Sequence, residues 1–151
     1  MRMTPDLFLY ITATLMALWT IADRYAPYEG LSDAGCRIDA VLDGDTLRLI
    51  CNGTAETARL TGFDTPETRD ARCEAERALG KQAAAYLRDW VRRAQPGISD
   101  QGHDKYRRRL IRLRLDGQDV AARMIGQGLA VPYTGAARID WCARLKAGTI
   151  R

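Results

Sequence analysis

Two short acidic motifs, Asp43-Gly44-Asp45-Thr46 and Asp64-Thr65-Pro66-Glu67, flank an alternating stretch that carries Arg59. Carboxylates are hard oxygen ligands suited to Ca²⁺ or Mg²⁺, and a spare glutamate beside them can draw a proton from a water next to the metal. An arginine on the intervening strand offers the planar fork that phosphate oxygens accept. Together these residue types suit metal-assisted hydrolysis of a phosphate ester. Each motif also has an ordinary structural reading. Asp45 next to a glycine can cap a turn through a backbone amide, and Asp64 or Thr65 ahead of Pro66 can start a turn or helix. The combination, not either motif alone, points to chemistry.

The elements that must position these groups begin with a hairpin. Asp43-Gly44 is a strong two-residue turn signal, and with that turn the paired positions set Cys36 opposite Cys51, Ile38 opposite Leu49 and Ala40 opposite Leu47. Asp39 and Arg48 then share the other face, which is the alternation of a half-buried sheet. Asp45 lies on the face of Leu47 and Leu49, so its carboxylate points toward the core and needs a partner there. With Cys36 and Cys51 joined, Cys73 and Cys142 are left to pair, tying the segment after the second acidic motif to the tail. The even set of four cysteines, without a Cys-x-x-Cys pair, reads as disulfides of an oxidising compartment; four free buried thiols are the alternative.

Ala55 to Phe63 is expected to be a third strand. Glu74 to Arg93 is an amphipathic helix with Leu79, Ala83, Tyr86, Leu87, Trp90 and Val91 on one face, ended by Pro96-Gly97, and is expected to serve the core and not the site. Ile98-Ser99 is at best a very short fourth strand, because Pro96 falls where a barrel strand is needed. Leu110 to Leu115 is a fifth, with Arg112 and Arg114 on a solvated face. Asp119 starts a helix carrying Val120, Met124 and Ile125, which Gly126 and Gly128 end. The fold class is therefore mainly β with helices (α+β), a five-stranded barrel with two or three helices packed on it, preceded by an N-terminal hydrophobic helix.

The chain has 151 residues, enough for one domain with a proper core. Its formal charge of +4 and pI near 9.0 favour an anionic partner such as nucleic acid or an anionic membrane surface. Residues 1–35 form a leader and linker around the apolar run 7–22. A helix over that run is roughly 24 Å long, short of the roughly 30 Å hydrocarbon core, so a secretory signal and a short membrane anchor both fit. Thr20-Ile21-Ala22 is a poor cleavage site, and either outcome exports the body. A core helix of a cytosolic protein is the alternative. The body is expected over 36–133 and a tail over 134–151, held by a disulfide. His103, the only histidine, reads as an exposed loop residue.

In order along the chain, Asp43-Gly44-Asp45-Thr46, Arg59, Asp64-Thr65-Pro66-Glu67, Asp104-Lys105-Tyr106-x-Arg108 and Gly128-Leu129-Ala130 resemble the staphylococcal nuclease (thermonuclease) family, over roughly Cys36 to Tyr133. The resemblance implies an OB-fold barrel and a Ca²⁺-dependent phosphodiesterase acting on DNA and RNA, with products ending in 3′-phosphate, which the leader and the cysteines place outside the cytoplasm. It implies one Ca²⁺ held by Asp45, Asp64 and the Thr65 carbonyl, with Asp43 in the outer shell. Glu67 matches the general base, Arg59 and Arg108 the two phosphate-binding arginines, and Lys105, Tyr106 and Tyr133 the nucleotide-binding groups. A monomer is expected. The chain departs from the pattern at Arg107, where the family has glycine, and the run Arg107-Arg108-Arg109 leaves the arginine match ambiguous by one residue. Arg107 and Arg109 read as a solvated or nonspecifically phosphate-binding cluster. Two other functions stay open: a catalytically weak nucleic-acid-binding OB module, whose binding survives chelator, and a disulfide-stapled extracytoplasmic structural domain, whose stability ignores Ca²⁺.

Overall fold

The computed structural model describes residues 5–25 and 35–148. Helix α1 (Pro5–Tyr25) opens the chain and runs further in both directions than the apolar run alone. Its threonines are absorbed locally, since Thr12, Thr14 and Thr20 each donate a hydroxyl hydrogen bond to a carbonyl one turn back. Leu9, Tyr10, Met16 and Trp19 are exposed. Among the described residues no helix is long and apolar enough to cross a membrane.

The body follows as β1 (Cys36–Asp43), β2 (Thr46–Cys51), β3 (Thr54–Leu60), β4 (Gly62–Asp64), α2 (Glu74–Arg93), β5 (Pro96–His103), β6 (Arg109–Leu115), β7 (Gln118–Asp119), α3 (Val120–Gly126), β8 (Val131–Tyr133) and α4 (Trp141–Lys146). The main sheet has the order β1-β2-β3-β6-β5, with β7 added to β6, while β4 and β8 make a separate antiparallel pair. All neighbours in the main sheet are antiparallel except β3 and β6. The fold is α+β as expected, but β1 and β5 remain the two ends of the strand path. The sheet is therefore not closed into the expected barrel. Ile38, Leu47, Leu49, Leu60, Ile111 and Leu115 fill the sheet's inner face, and Leu87, Val120 and Met124 cover it from the helices.

Three expectations need correction. Cys36 does face Cys51 and Ile38 faces Leu49, but Ala40 faces Arg48, not Leu47, and Asp43 faces Thr46. Irregularities between Ile38 and Ala40 and between Val41 and Asp43 shift the register, so the turn is Gly44-Asp45. Gly44 is required for close approach and not for turn dihedrals. A Cβ there would lie 2.9 Å from both Ala83 of α2 and the Thr65 side chain. The stretch 55–63 is broken, since β3 stops at Leu60 and β4 turns away to pair with β8. The strand expected at Ile98-Ser99 is β5, eight residues long. Pro96 is tolerated because it opens an edge strand, and only Ile98 is buried, so the strand carries almost no hydrophobic pattern to read.

Both disulfides form, Cys36–Cys51 and Cys73–Cys142, and they leave no free cysteine. The second spans 69 residues and fastens α4 to the start of α2. Replacing Cys73 and Cys142 together by serine is expected to lower stability by about 4 kcal/mol, from the entropy restored to the unfolded loop. Urea unfolding measures this as a lower midpoint; a midpoint unchanged from wild type would show that the tail is held without the bond.

Candidate active site

Sheet register assembles the site. Thr46 at the start of β2 faces Arg59 of β3, which brings the β1–β2 turn against the end of β3. The parallel pairing of β3 with β6 then sets Arg59 beside Leu110, two residues from Arg108. Arg108 faces the same cavity as Arg59, whereas Arg109 is turned to Glu56 at 2.9 Å and to Asp100. The reading of Arg109 as solvated is thus replaced by an ion-paired one, because its strand position points it at two carboxylates. Arg107 is exposed.

Asp45 and Asp64 are almost fully buried, at 2% and 1% exposed, and one Arg59 nitrogen joins them, lying 2.8 Å from Asp45 Oδ2 and 2.9 Å from Asp64 Oδ1. Thr46 Oγ1 donates to Asp45 Oδ1 at 2.9 Å, and the Thr65 amide donates to Asp45 Oδ2 at 3.2 Å. Burial pushes the Asp45 carboxyl above its ordinary pKa, against the lowering effects of Arg59 and these two hydrogen bonds. Asp43 accepts from the Gly44 amide and from Thr68 Oγ1, which ties the turn to the segment carrying Glu67.

That segment is held from below by α2, which the sequence reading assigned to the core alone. Glu76 is buried, and its two carboxylate oxygens accept the amides of Glu67 at 3.3 Å and Arg72 at 2.8 Å. Gly80, one turn on, faces the carbonyls of Pro66 and Glu67, each 2.7 Å from where a Cβ would sit. On an open helix face Gly→Ala stabilises by roughly 0.5–1 kcal/mol. Here Gly80→Ala is expected to destabilise by about 1–3 kcal/mol, because backbone cannot yield as a flexible side chain would. Thermal unfolding of the variant checks the sign.

Two residues of the site carry no sequence motif. Arg138, in the loop between β8 and α4, donates through Nε to Asp64 Oδ1 at 2.7 Å, through Nη2 to the Thr65 carbonyl at 3.3 Å and through Nη1 to Glu67. Burial works against its charge, but the hydrogen bonds to Glu67 and Asp64 outweigh this and raise its pKa. Buried Trp141 donates Nε1 to Asp64 Oδ2 at 3.0 Å. The available signal was the disulfide: once Cys142 is joined to Cys73, residues 138–141 must lie near 64–73.

Asp45, Asp64 and the Thr65 carbonyl form a set of hard oxygens, each facing a guanidinium or amide hydrogen, and so fit a hard divalent cation. Among the described residues the convergent clusters of three His, Cys or acidic side chains both contain a disulfide, which supplies no thiolate ligand.

Arg59 and Arg138 also line a cavity of about 530 Å³ with Lys105, Tyr106, Arg108 and Tyr133. The expected catalytic arginines and nucleotide-binding groups therefore open on one space, with the acidic pair directly behind it. The loop 104–108 is shaped by Asp104, whose oxygens accept the amides of Tyr106 and Arg108 and the Arg108 Nε, all within 2.9 Å. Desolvation would raise the Asp104 pKa, but these donors hold it below its ordinary value. The Lys105 ammonium and the Arg108 guanidinium lie 5.0 Å and 5.6 Å from the Tyr106 ring centre. Arg107 has φ of 64°, the left-handed conformation that suits the glycine of the resembled pattern. Arg107→Gly is expected to raise stability by about 0.5–1 kcal/mol, the left-handed strain exceeding glycine's added chain entropy, measured as a higher urea midpoint.

The family model described as Staphylococcal nuclease homologue matches residues 57–142, more than half of the chain. That span includes Arg59, Asp64, Glu67, Arg108 and Arg138, while Asp43 and Asp45 lie ahead of it. Endonuclease YncB of Bacillus subtilis strain 168 is 32% identical over 96 residues, which cover 62% of this chain and 45% of that protein. The SPbeta prophage-derived endonuclease YokF of the same organism is 31% identical over 96 residues, covering 62% and 32%. The chain spans less than half the length of either relative. A match of this extent makes the chain a member of the staphylococcal nuclease homologue family.

Proposed function

We propose that the protein is an exported, Ca²⁺-dependent nuclease that hydrolyses phosphodiester bonds of DNA and RNA and leaves products ending in 3′-phosphate. The observation that carries this reading is the position of Arg59, which touches both buried carboxylates and opens on the cavity that Arg108, Tyr106 and Tyr133 also line. The names of the two endonuclease relatives support the reaction class. Two disulfides and the exposed apolar faces of α1 support export and, through residues 7–22, contact with a membrane surface.

In this mechanism Asp45, Asp64 and the Thr65 carbonyl would hold the ion, which would supply a Lewis acid for a phosphoryl oxygen. Glu67 accepts a proton from the attacking water. The guanidiniums of Arg59 and Arg108 stabilise the charge gathering on the phosphoryl oxygens, and Tyr106 and Tyr133 stack on bases, which tolerates any sequence and both sugars. Asp104 keeps Arg108 aimed through a salt bridge at 2.7 Å.

The test is digestion of single-stranded DNA and of RNA by the full chain with Ca²⁺, with Mg²⁺ and with chelator. Cleavage in Ca²⁺ that stops in chelator, with product ends that a polymerase extends only after phosphatase treatment, is expected. Binding without cleavage in either metal would overturn the enzyme reading in favour of a nucleic-acid-binding module.

A further inference from the structure

Three residues donate to the buried carboxylate of Asp64. Its Oδ1 accepts from both Arg59 and Arg138, and its Oδ2 accepts from Trp141. Arg138 reaches past it to the Thr65 carbonyl and to Glu67. One guanidinium thus covers two of the three oxygens assigned to the cation, together with the carboxylate assigned to the proton.

The chain fixes Arg138 in this place from both sides. Ahead of it, Val131 of β8 pairs with Asp64 itself. Behind it, Trp141 hydrogen-bonds Asp64, and Cys142 is joined to Cys73. The loop between has little freedom to carry the guanidinium away, but the side chain does: it is 39% exposed and borders the large cavity.

We infer that Arg138 is a positioning residue that competes with the divalent cation for Asp64 and the Thr65 carbonyl, and that holds Glu67 until the cation takes its place. The inference rests on the proposed metal site. A guanidinium lying on Asp64 Oδ1 and the Thr65 carbonyl takes lone pairs and space that a metal ion there would use, and their like charges repel strongly where solvent is partly excluded. The binding of one is therefore linked to the release of the other. When the cation binds, Arg138 swings into the cavity and Glu67 loses its ion-pair partner, so the base becomes free only when the metal is in place.

The test is a calorimetric titration of the full chain with Ca²⁺, without nucleic acid, comparing wild type with Arg138→Gln. Removing the competing charge is expected to tighten Ca²⁺ binding about tenfold. A residue that merely builds the site would weaken binding when lost, so equal or weaker affinity in the variant overturns the inference while leaving the metal site standing. Absence of Ca²⁺ binding in both proteins overturns the metal site and this inference with it. A second measurement needs no variant: in the unsubstituted chain, the Arg138 Nε–H resonance should move to a solvent-exchanging position as Ca²⁺ saturates. A resonance unchanged at saturation also overturns the inference.

Discussion

Glu67→Gln is expected to lower the single-turnover rate of DNA cleavage by about 10²–10⁴-fold, the usual contribution of a positioned general base, while leaving DNA affinity near that of wild type. The substitution keeps the side chain's shape and its ability to accept from Arg138, and removes the basic oxygen. Glu67 is well suited to the task by its surroundings. Its backbone amide is fixed by buried Glu76, its carbonyl presses on Gly80, and its side chain stays 28% exposed, close enough to water to take a proton from it. A variant that cleaves within threefold of wild type would remove Glu67 from the proton transfer and leave water or another carboxylate as the base.

The second large effect concerns Arg59, where catalysis and folding meet. Arg59→Ala leaves Asp45 with only the Thr46 hydroxyl and the Thr65 amide, and leaves Asp64 with Arg138 and Trp141. Removing one partner from a buried ion pair typically destabilises by about 3–5 kcal/mol, because the other charge stays buried without it. A loss of that size is expected in urea without divalent ions. The Asp45 carboxyl, whose pKa burial already raises, loses the guanidinium that opposes that rise. Ca²⁺ should then raise the melting temperature of the variant more than that of wild type, since the ion replaces the missing charge between the two acids. Cleavage at saturating Ca²⁺ should fall by about 10²–10³-fold, as for other losses of one group that stabilises transition-state charge. Arg59→Lys should fail in the same direction, because a point charge cannot bridge two carboxylates and a phosphate as a planar fork does. A destabilisation below about 1 kcal/mol would mean that water, and not Arg59, solvates the acidic pair.

Much of this site could be read from the chain before its fold was known, for reasons that differ from residue to residue. Asp45, Asp64 and Glu67 stand in short acidic motifs, Arg59 stands on the alternating stretch between them, and the pairing of β2 with β3 brings Arg59 to the hairpin turn. The Cys36–Cys51 pairing came out as expected because two irregularities in β1 offset the misplaced turn, so that Arg37 and Ile38 still follow the expected register. The turn itself was misplaced by one residue. Its glycine answers to Ala83 and Thr65, which are distant in sequence, and two irregularities in β1 absorb the shift. Strand β5 was almost missed because an exposed edge strand has no buried face to pattern. Closure of the barrel was read from the order of strands and helices and implied again by the resemblance, but no hydrogen-bonded ladder joins β1 to β5 among the described residues. Glu76 was hidden by its helix, where a carboxylate at the first turn ordinarily answers to the helix dipole. Arg138 and Trp141 depend on the β4–β8 pairing and on the Cys73–Cys142 bond, both of which act over long separations.

The central claim is that one divalent ion sits between Asp45 and Asp64, against the Thr65 carbonyl and next to Glu67. Its most direct test is a crystal structure of the chain grown with Ca²⁺. The account predicts a single ion with an oxygen of Asp45, an oxygen of Asp64 and the Thr65 carbonyl each at about 2.3–2.6 Å, with Arg138 withdrawn from Thr65. An ion bound elsewhere, with Arg59 and Arg138 still closed on the two carboxylates, would contradict it.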